Sequence, residues 1–241
     1  MARIVMKFGG TSLEGERLER AAQTIAAAWR SGAKTLAVLS ARGQETDRLL
    51  SQARALNPEA GGRELDQLLA TGEMQAVALC ALLLEAMGCP VCSMSGAQAG
   101  IRTDGTFGDA RITHIDTAPV LRQWDAGKIV LAAGFQGLAP DGSVTTLGRG
   151  GSDTTAAALA CALGADRCRI YTDVDGVYDR DPRKYPDARK FDRIGYDDML
   201  RLIDGGAQVL HRRSVEIARN CGFELEVLSA LHDAPGTVVG A

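Results

Sequence analysis

The sequence predicts an α/β protein, a three-layer α/β/α sandwich with a mainly parallel central sheet, on three observations. Short apolar runs of strand length alternate along the chain with longer stretches of helical period, which puts helices on both faces of one sheet. The 28 glycines, against only 7 prolines, fall at the ends of these segments and not in a low-complexity tract, as tight strand-to-helix turns require. The 241 residues are 46% apolar and 24% charged, enough to bury roughly 70 to 75% of the unfolded chain's surface.

Arg3 to Phe8 reads as a buried strand, after which Gly9-Gly10 turns the chain into a helix capped by Thr11 with Glu14 three residues on. Leu18, Ala21, Ala22, Ile25 and Trp29 recur at helical spacing along it. Thr35 to Ser40 is a short apolar strand, followed by helical stretches at Asp47 to Leu56 and Glu64 to Met87, the second interrupted or restarted near Gly72. Val91 to Ser93 is strand, and the Gly-, Thr- and Asp-rich segment Gly96 to Thr113 suggests a hairpin excursion outside the core, a plausible lid. A helix at Thr117 to Asp125 leads into the strand Ile129 to Ala133, and Gly148-Arg149-Gly150-Gly151 opens a helix that runs to Leu163 and stops at Gly164. The strand Arg169 to Thr172, helices at Tyr196 to Ile203 and Ala207 to Asn220, the strand Glu224 to Leu228 and a β-like tail at Thr237 to Val239 complete the series. No repeat or linker divides it, so a single domain over residues 1–241 is expected.

Composition removes several function classes. With 27 Lys and Arg against 30 Asp and Glu, the net charge of −3 offers no field for a nucleic-acid backbone. The longest apolar run, Ala76 to Leu84, ends at Glu85, short of the roughly 20 residues of a membrane span, and the N-terminus does not have the pattern of a signal peptide. A soluble cytoplasmic protein with reduced thiols is therefore expected. The six cysteines do not form a disulfide-framework pattern, and Cys89-Pro90-Val91-Cys92 lacks the second cluster a zinc site needs. His114, His211 and His232 have neither metal nor triad spacing, so no metal site is expected among protein ligands.

Two segments place glycines between a strand and a helix start: Lys7-Phe8-Gly9-Gly10-Thr11-Ser12 and Gly148-Arg149-Gly150-Gly151-Ser152-Asp153. Each can aim backbone N–H groups and the positive end of a helix dipole at an anion. Neither matches the Walker pattern or the dinucleotide fingerprint. Alone, either could be a tight βα connection, with Lys7 a strand-end lysine and Asp153 a dipole-complementing acid. Together they supply a cation for phosphoryl oxygens and a carboxylate to orient that cation or a Mg²⁺, a set suited to phosphoryl transfer.

The segments KFGGTS at Lys7 to Ser12, TTLGRGGSDTT at Thr145 to Thr155 and TDVDGVYDRDPR at Thr172 to Arg183 resemble the signature motifs of the aspartate kinases of the amino-acid kinase family. Ser40-Ala41 with Thr46-Asp47, Thr71-Gly72-Glu73, Ser95 to Gly100, Gly134 to Gly137 and Arg213 to Glu216 extend the resemblance over essentially the whole chain. It implies transfer of the ATP γ-phosphoryl group to the β-carboxylate of L-aspartate, with Mg²⁺. It further implies an acceptor-side lobe over about 1–140 and a nucleotide-side lobe over about 141–241. By the same resemblance Lys7 and Asp153 are catalytic, and Thr46, Glu73, Phe135, Arg149 and Ser152 bind the amino acid. Arg149 would fork its α-carboxylate and Glu73 would receive its ammonium. Lys7, Gly9, Gly10, Ser12, Gly150, Gly151, Thr172, Asp173, Tyr178, Arg183 and Gln208 then bind nucleotide.

The sequence departs from the family pattern in two places. Gly206-Ala207-Gln208 stands where the family usually has a lysine reaching the nucleotide phosphates, which predicts weaker ATP affinity unless Arg212 or Arg213 substitutes. The family normally continues past the Pro235-Gly236-Thr237 region into ACT-type regulatory domains, which these residues do not include. The expected partners are ATP and L-aspartate, with a homodimer and a separate regulatory subunit as further expectations. Two other functions remain open: a nucleotide- or amino-acid-binding subunit with weak turnover, and a kinase of another small carboxylic amino acid.

Overall fold

A computed structural model describes all 241 residues. In chain order its elements are β1 (Arg3–Phe8), a 3₁₀ turn (Gly10–Leu13), α1 (Arg17–Arg30), β2 (Lys34–Leu39), α2 (Glu45–Leu56), α3 (Gly62–Ala86), β3 (Val91–Met94), β4 (Ile101–Thr103) and β5 (Ile112–Ile115). They continue with α4 (Ala118–Asp125), β6 (Ile129–Ala133), β7 (Gln136–Leu138), β8 (Val144–Thr146), α5 (Gly151–Leu163) and β9 (Arg167–Thr172). The last are β10 (Arg193–Gly195), α6 (Tyr196–Asp204), α7 (Arg212–Cys221), β11 (Leu225–Ser229) and β12 (Thr237–Gly240). Eight strands form one sheet in the order β10-β12-β11-β9-β1-β2-β6-β3, parallel except for the β11/β12 pair.

Period-two alternation along the central strands divides the core into two apolar layers. Ile4, Met6 and Phe8 of β1 join Leu18, Ala22 and Ile25 of α1 and Ala76, Val77 and Leu84 of α3 on one face. Val5, Leu36, Val130 and Ile170 meet Trp124 of α4, Leu159 of α5, Met199 of α6 and Val215 of α7 on the other. This is the three-layer sandwich the sequence predicts. Truncating one of its fully buried leucines, such as Leu131, is expected to cost about 2–5 kcal/mol.

Several local expectations are corrected. The Thr11/Glu14 capping box does not form: residues 10–13 make the 3₁₀ turn, and α1 starts at Arg17 with no side-chain cap. The turn is held instead from the main chain, by Gly43 N–H donating to the Gly10 carbonyl at 2.9 Å. Helix α3 runs unbroken through Gly72, the point where Ala41 and Glu45 pack against it. At 25 residues α3 is long and apolar enough to cross a membrane by length and composition, yet Leu69, Val77, Cys80 and Leu84 are buried in the protein and it also buries Asp66 and Glu73.

The hairpin expected at Gly96 to Thr113 forms, as antiparallel β4 and β5, but it lies within the core as half of a second sheet, ordered β5-β4-β7-β8, in which Ile101 is fully buried. Strands β7 and β8, too short to show a sequence period, provide the other half. Helix α7 begins at Arg212 and not at Ala207, which leaves Gln208 in the preceding loop. The thiols are not all reduced: Cys161 of α5 and Cys221 of α7 form a disulfide across a Cα–Cα distance of 6.0 Å, a pairing that their separation of 60 residues conceals in the sequence. Cys89 and Cys92 are free.

Candidate active site

The sheet order changes direction at β1: β2, β6 and β3 lie to one side and β9, β11, β12 and β10 to the other. In open α/β sheets such a switch point leaves a crevice beyond the carboxyl ends of the strands. The residues singled out from the sequence follow those ends: Gly9 and Gly10 after β1, Ala41 after β2, Phe135 after β6 and Thr172 at the end of β9.

Lys7 is two residues beyond Val5 on β1 and so faces the α5 side. Its ammonium pairs with Asp153 in the first turn of α5, Nζ to Oδ1 at 2.6 Å, with both side chains 12% exposed. Lys7 Nζ also lies 3.4 Å from where a Cβ on Gly9 would stand, so the charge folds over the first glycine turn while being tied to the helix that opens from the second. Ser12 is buried, and its Oγ has no hydrogen-bond partner in the protein. Gly9 N–H donates to the Tyr171 carbonyl at 3.3 Å, which joins the first turn to the end of β9.

Glu73 lies in the middle of α3, not at a helix start, and is 3% exposed. Ala41 N–H donates to its Oε1 at 2.9 Å, while Oε2 is buried without a partner. Burial pushes the Glu73 carboxyl up to about 7 against the pull of the Ala41 hydrogen bond. Phe135 is the one non-glycine residue with positive φ, 69°. Its N–H donates to Thr155 Oγ1 at 3.1 Å, and its carbonyl accepts from Leu147 N–H at 2.8 Å. Strained backbone of this kind costs about 1–3 kcal/mol and clusters at functional sites. Ser152 is buried against Gly134, Thr46 is half-buried in the first turn of α2, and Arg149 is exposed with no ion pair or hydrogen bond.

Of the residues that the sequence assigns to nucleotide, Asp173 and Arg183 are exposed and Thr172 and Tyr178 half-buried. Thr172 Oγ1 donates to Asp173 Oδ1 at 3.1 Å, and Arg183 donates to Asp181 at 3.1 Å and lies 4.0 Å from Asp173. Tyr178 donates its hydroxyl to Asp175 at 2.7 Å, which raises the phenol to about 12. Gln208 is exposed and bonds to none of them. Neither expected substitute for its missing charge is free: Arg212 pairs with Asp204 and Glu216, and Arg213 bonds the Leu147 carbonyl and Asp109.

Asp66 and Gln136 were not singled out from the sequence. Asp66, seven residues before Glu73 on the same face of α3, accepts from Thr146 N–H, Thr146 Oγ1 and Gly108 N–H at 2.7, 2.9 and 2.9 Å. That spacing of two acids on one apolar helix was a legible signal. Gln136 holds the Ala70 carbonyl through Nε2 at 2.9 Å, a contact without sequence pattern. A cavity of about 360 Å³ lies beside Ser12 under the stacked rings of Phe8 and Tyr171, but Lys7, Glu73, Arg149 and Asp153 do not line it. The Lys7–Asp153 ion pair lies outside that cavity, and no cluster of three metal-binding side chains is present.

Residues 2–229 match the profile of the amino acid kinase family. The chain is 49% identical over 240 residues to aspartokinase 2 of Bacillus subtilis and 48% identical over 240 residues to an aspartokinase of Thermus thermophilus, in each case 99% of this chain and 59% of the relative. Among solved structures, aspartate kinase from Synechocystis superposes with a TM-score of 0.89 at 44% identity, over 100% of this chain and 40% of that one. E. coli aspartokinase III in complex with aspartate and ADP gives 0.83 at 27% identity, over 98% of this chain and 64% of that one. An isopentenyl phosphate kinase, at 23% identity and a TM-score of 0.70, shares the fold. The chain thus spans about 59% of the length of the curated relatives it matches, and by profile, sequence and superposition it belongs to the amino acid kinase family.

Proposed function

We propose that the chain performs the phosphoryl transfer of an aspartate kinase: a β-carboxylate oxygen of L-aspartate attacks the γ-phosphorus of ATP, the bond to the bridging oxygen breaks, and aspartyl β-phosphate and ADP form. The observation that carries this reading is the Lys7–Asp153 pair at 2.6 Å between the two glycine turns. The attacking carboxylate is already ionised, so the reaction needs positioned positive charge and no general base. Lys7 supplies that charge on the migrating group, Asp153 fixes its direction, and the Gly9-Gly10 and Gly150-Gly151 turns, without side chains, let the main chain approach the phosphates.

Glu73 Oε2, buried without a partner, supports an ammonium ligand, and the unpaired guanidinium of Arg149 supports an α-carboxylate ligand. Together they favour a free α-amino acid over an N-acylated acid. The aspartate-bound relative supports aspartate as that acceptor. With no three-ligand cluster in the chain, Mg²⁺ enters as the Mg–ATP substrate, carried mainly by the phosphates. The reading extends to residues 1–140 as acceptor side and 141–241 as nucleotide side, a homodimer, and a cytoplasmic location.

One observation favours a second reading. Gln208 stands exposed and both neighbouring arginines are committed elsewhere, which suits a chain with weak nucleotide affinity and slow turnover. Incubation with ATP, Mg²⁺, L-aspartate and hydroxylamine separates the two. Hydroxamate that depends on aspartate and disappears in Lys7→Ala is expected; hydroxamate with a different acid moves the acceptor assignment, and none with any acid favours the binding subunit.

A further inference from the structure

We propose that Arg213 is a positioning residue which, with Asp109 and His211, holds the Gly148–Gly151 turn in the shape that aims Arg149 and the first amides of α5. The assignment of Arg149 to the acceptor rests on the aspartate kinase reading above.

Four contacts carry the inference. Arg213 Nη1 donates to the Leu147 carbonyl at 3.1 Å, immediately before the turn. The Leu147 N–H is bound from the other side, to the Phe135 carbonyl at 2.8 Å, so both main-chain polar groups of residue 147 are engaged. Arg213 Nη2 donates to Asp109 Oδ1 at 2.8 Å, and that oxygen stands 2.9 Å from where a Cβ on Gly148 would be. The His211 ring carbons Cγ and Cδ2 lie 2.2 and 2.3 Å from the corresponding point on Gly150.

Gly148 and Gly150 have φ of 72° and 69°, left-handed values that glycine adopts without the penalty of a side chain. The space their missing side chains leave is occupied by Asp109 and by His211, and the latter is the residue immediately before α7. His211, just before α7, therefore walls the glycine turn on one side and Asp109, from the β4–β5 connection, on the other, with Arg213 as the link between them. Arg149 lies between the two glycines and has no contact of its own to hold it, so its direction follows from the turn. Arg213 is thus not the substitute phosphate cation that its sequence neighbourhood suggests, because its guanidinium is already shared between a carbonyl and a carboxylate. A displacement of about 1 Å at such a position is enough to lower reaction rates by orders of magnitude.

The test compares Arg213→Ala, Asp109→Ala and the double variant by KM for L-aspartate in the hydroxamate assay, folded fraction by near-UV circular dichroism, and hydrogen exchange of the Leu147, Gly151 and Thr154 amides, which bond to Phe135, Gly148 and Gly150. Expected are a KM for aspartate raised about tenfold in Arg213→Ala and several-fold in Asp109→Ala, a double variant no worse than Arg213→Ala, and faster exchange at the three amides with the folded fraction unchanged. The Asp109 side chain is 66% exposed, so its removal tests the link without threatening the fold. An unchanged KM with unchanged amide exchange in Asp109→Ala, or strictly additive effects in the double variant, overturns the proposal. Loss confined to kcat and proportional to the folded fraction overturns it as well. If the unmodified chain makes no aspartyl hydroxamate, the functional reading fails, and amide exchange still decides the positioning role.

Discussion

The proposed acceptor side and the proposed nucleotide side of the crevice are built in opposite ways. Glu73 sits inside a 25-residue core helix with one oxygen held by the Ala41 amide, and Phe135 holds a left-handed backbone against α5. By contrast, Asp173 and Arg183 are exposed and Thr172 and Tyr178 half-buried, and their polar groups are satisfied mostly by one another or by Asp175 and Asp181. Glu73 is buried at a desolvation cost and left partly unpaired, whereas Thr172, Tyr178 and Arg183 must exchange existing partners for a ligand. On the proposed reading, preorganisation is concentrated where the amino acid would be read, and adaptability where the nucleotide would land.

The largest way to break this contrast is at its centre. Lys7→Ala should lower kcat by about 10²-fold or more while changing aspartate binding less, because its charge matters most where negative charge rearranges. Steady-state kinetics with both substrates varied check this. On the acceptor side, Arg149→Lys should raise the KM for aspartate about tenfold, since a point charge cannot reproduce the guanidinium fork. An unchanged KM would remove Arg149 from the acceptor site.

Glu73 predicts a pH effect of intermediate size. Its carboxyl is pushed from 4.5 up to about 7 by burial, so the folded protein keeps that proton to higher pH than the unfolded chain does. The associated stability is fully present below the unfolded value and is lost as pH rises through about 7. Without substrate, the melting temperature should therefore fall more between pH 5 and pH 8 in the unmodified chain than in Glu73→Gln, as scanning calorimetry would read. Aspartate, whose ammonium pairs with the ionised form, should oppose that fall. Its KM should rise as pH drops below about 7 and lose that dependence in Glu73→Gln. The smallest effect is expected on the nucleotide side, where Gln208→Lys should tighten ATP binding by a few-fold in a titration with Mg–ATP. A tenfold or larger gain would mean that this side depends on a few fixed charges as much as the acceptor side does.

The sequence carried the sandwich, both glycine turns, and Lys7 with Asp153, because each depends on local pattern: alternation along β1, glycine at strand ends, an acid in a first helical turn. The start of α7 was misread because Ala207 to Leu210 has helix-compatible composition while the chain there turns to carry His211 against Gly150. The second sheet as a whole is not legible because β7 and β8 are three residues each, too short for a period, and β7 pairs with β4 across 36 positions of chain.

What the amino-acid sequence determined by itself was the order of elements and the residue types that can handle a phosphoryl group and an amino acid, since propensity, period and turn chemistry act over a few residues. What only the tertiary structure decided was how those residues are used. The Cys161–Cys221 pairing, the partner of Glu73, the commitment of Arg213 to Leu147 and Asp109, and the exposure of Gln208 all depend on segments far apart in the chain being brought within a few ångströms. Burial and hydrogen-bond satisfaction are properties of that assembled neighbourhood, and no window of sequence contains them.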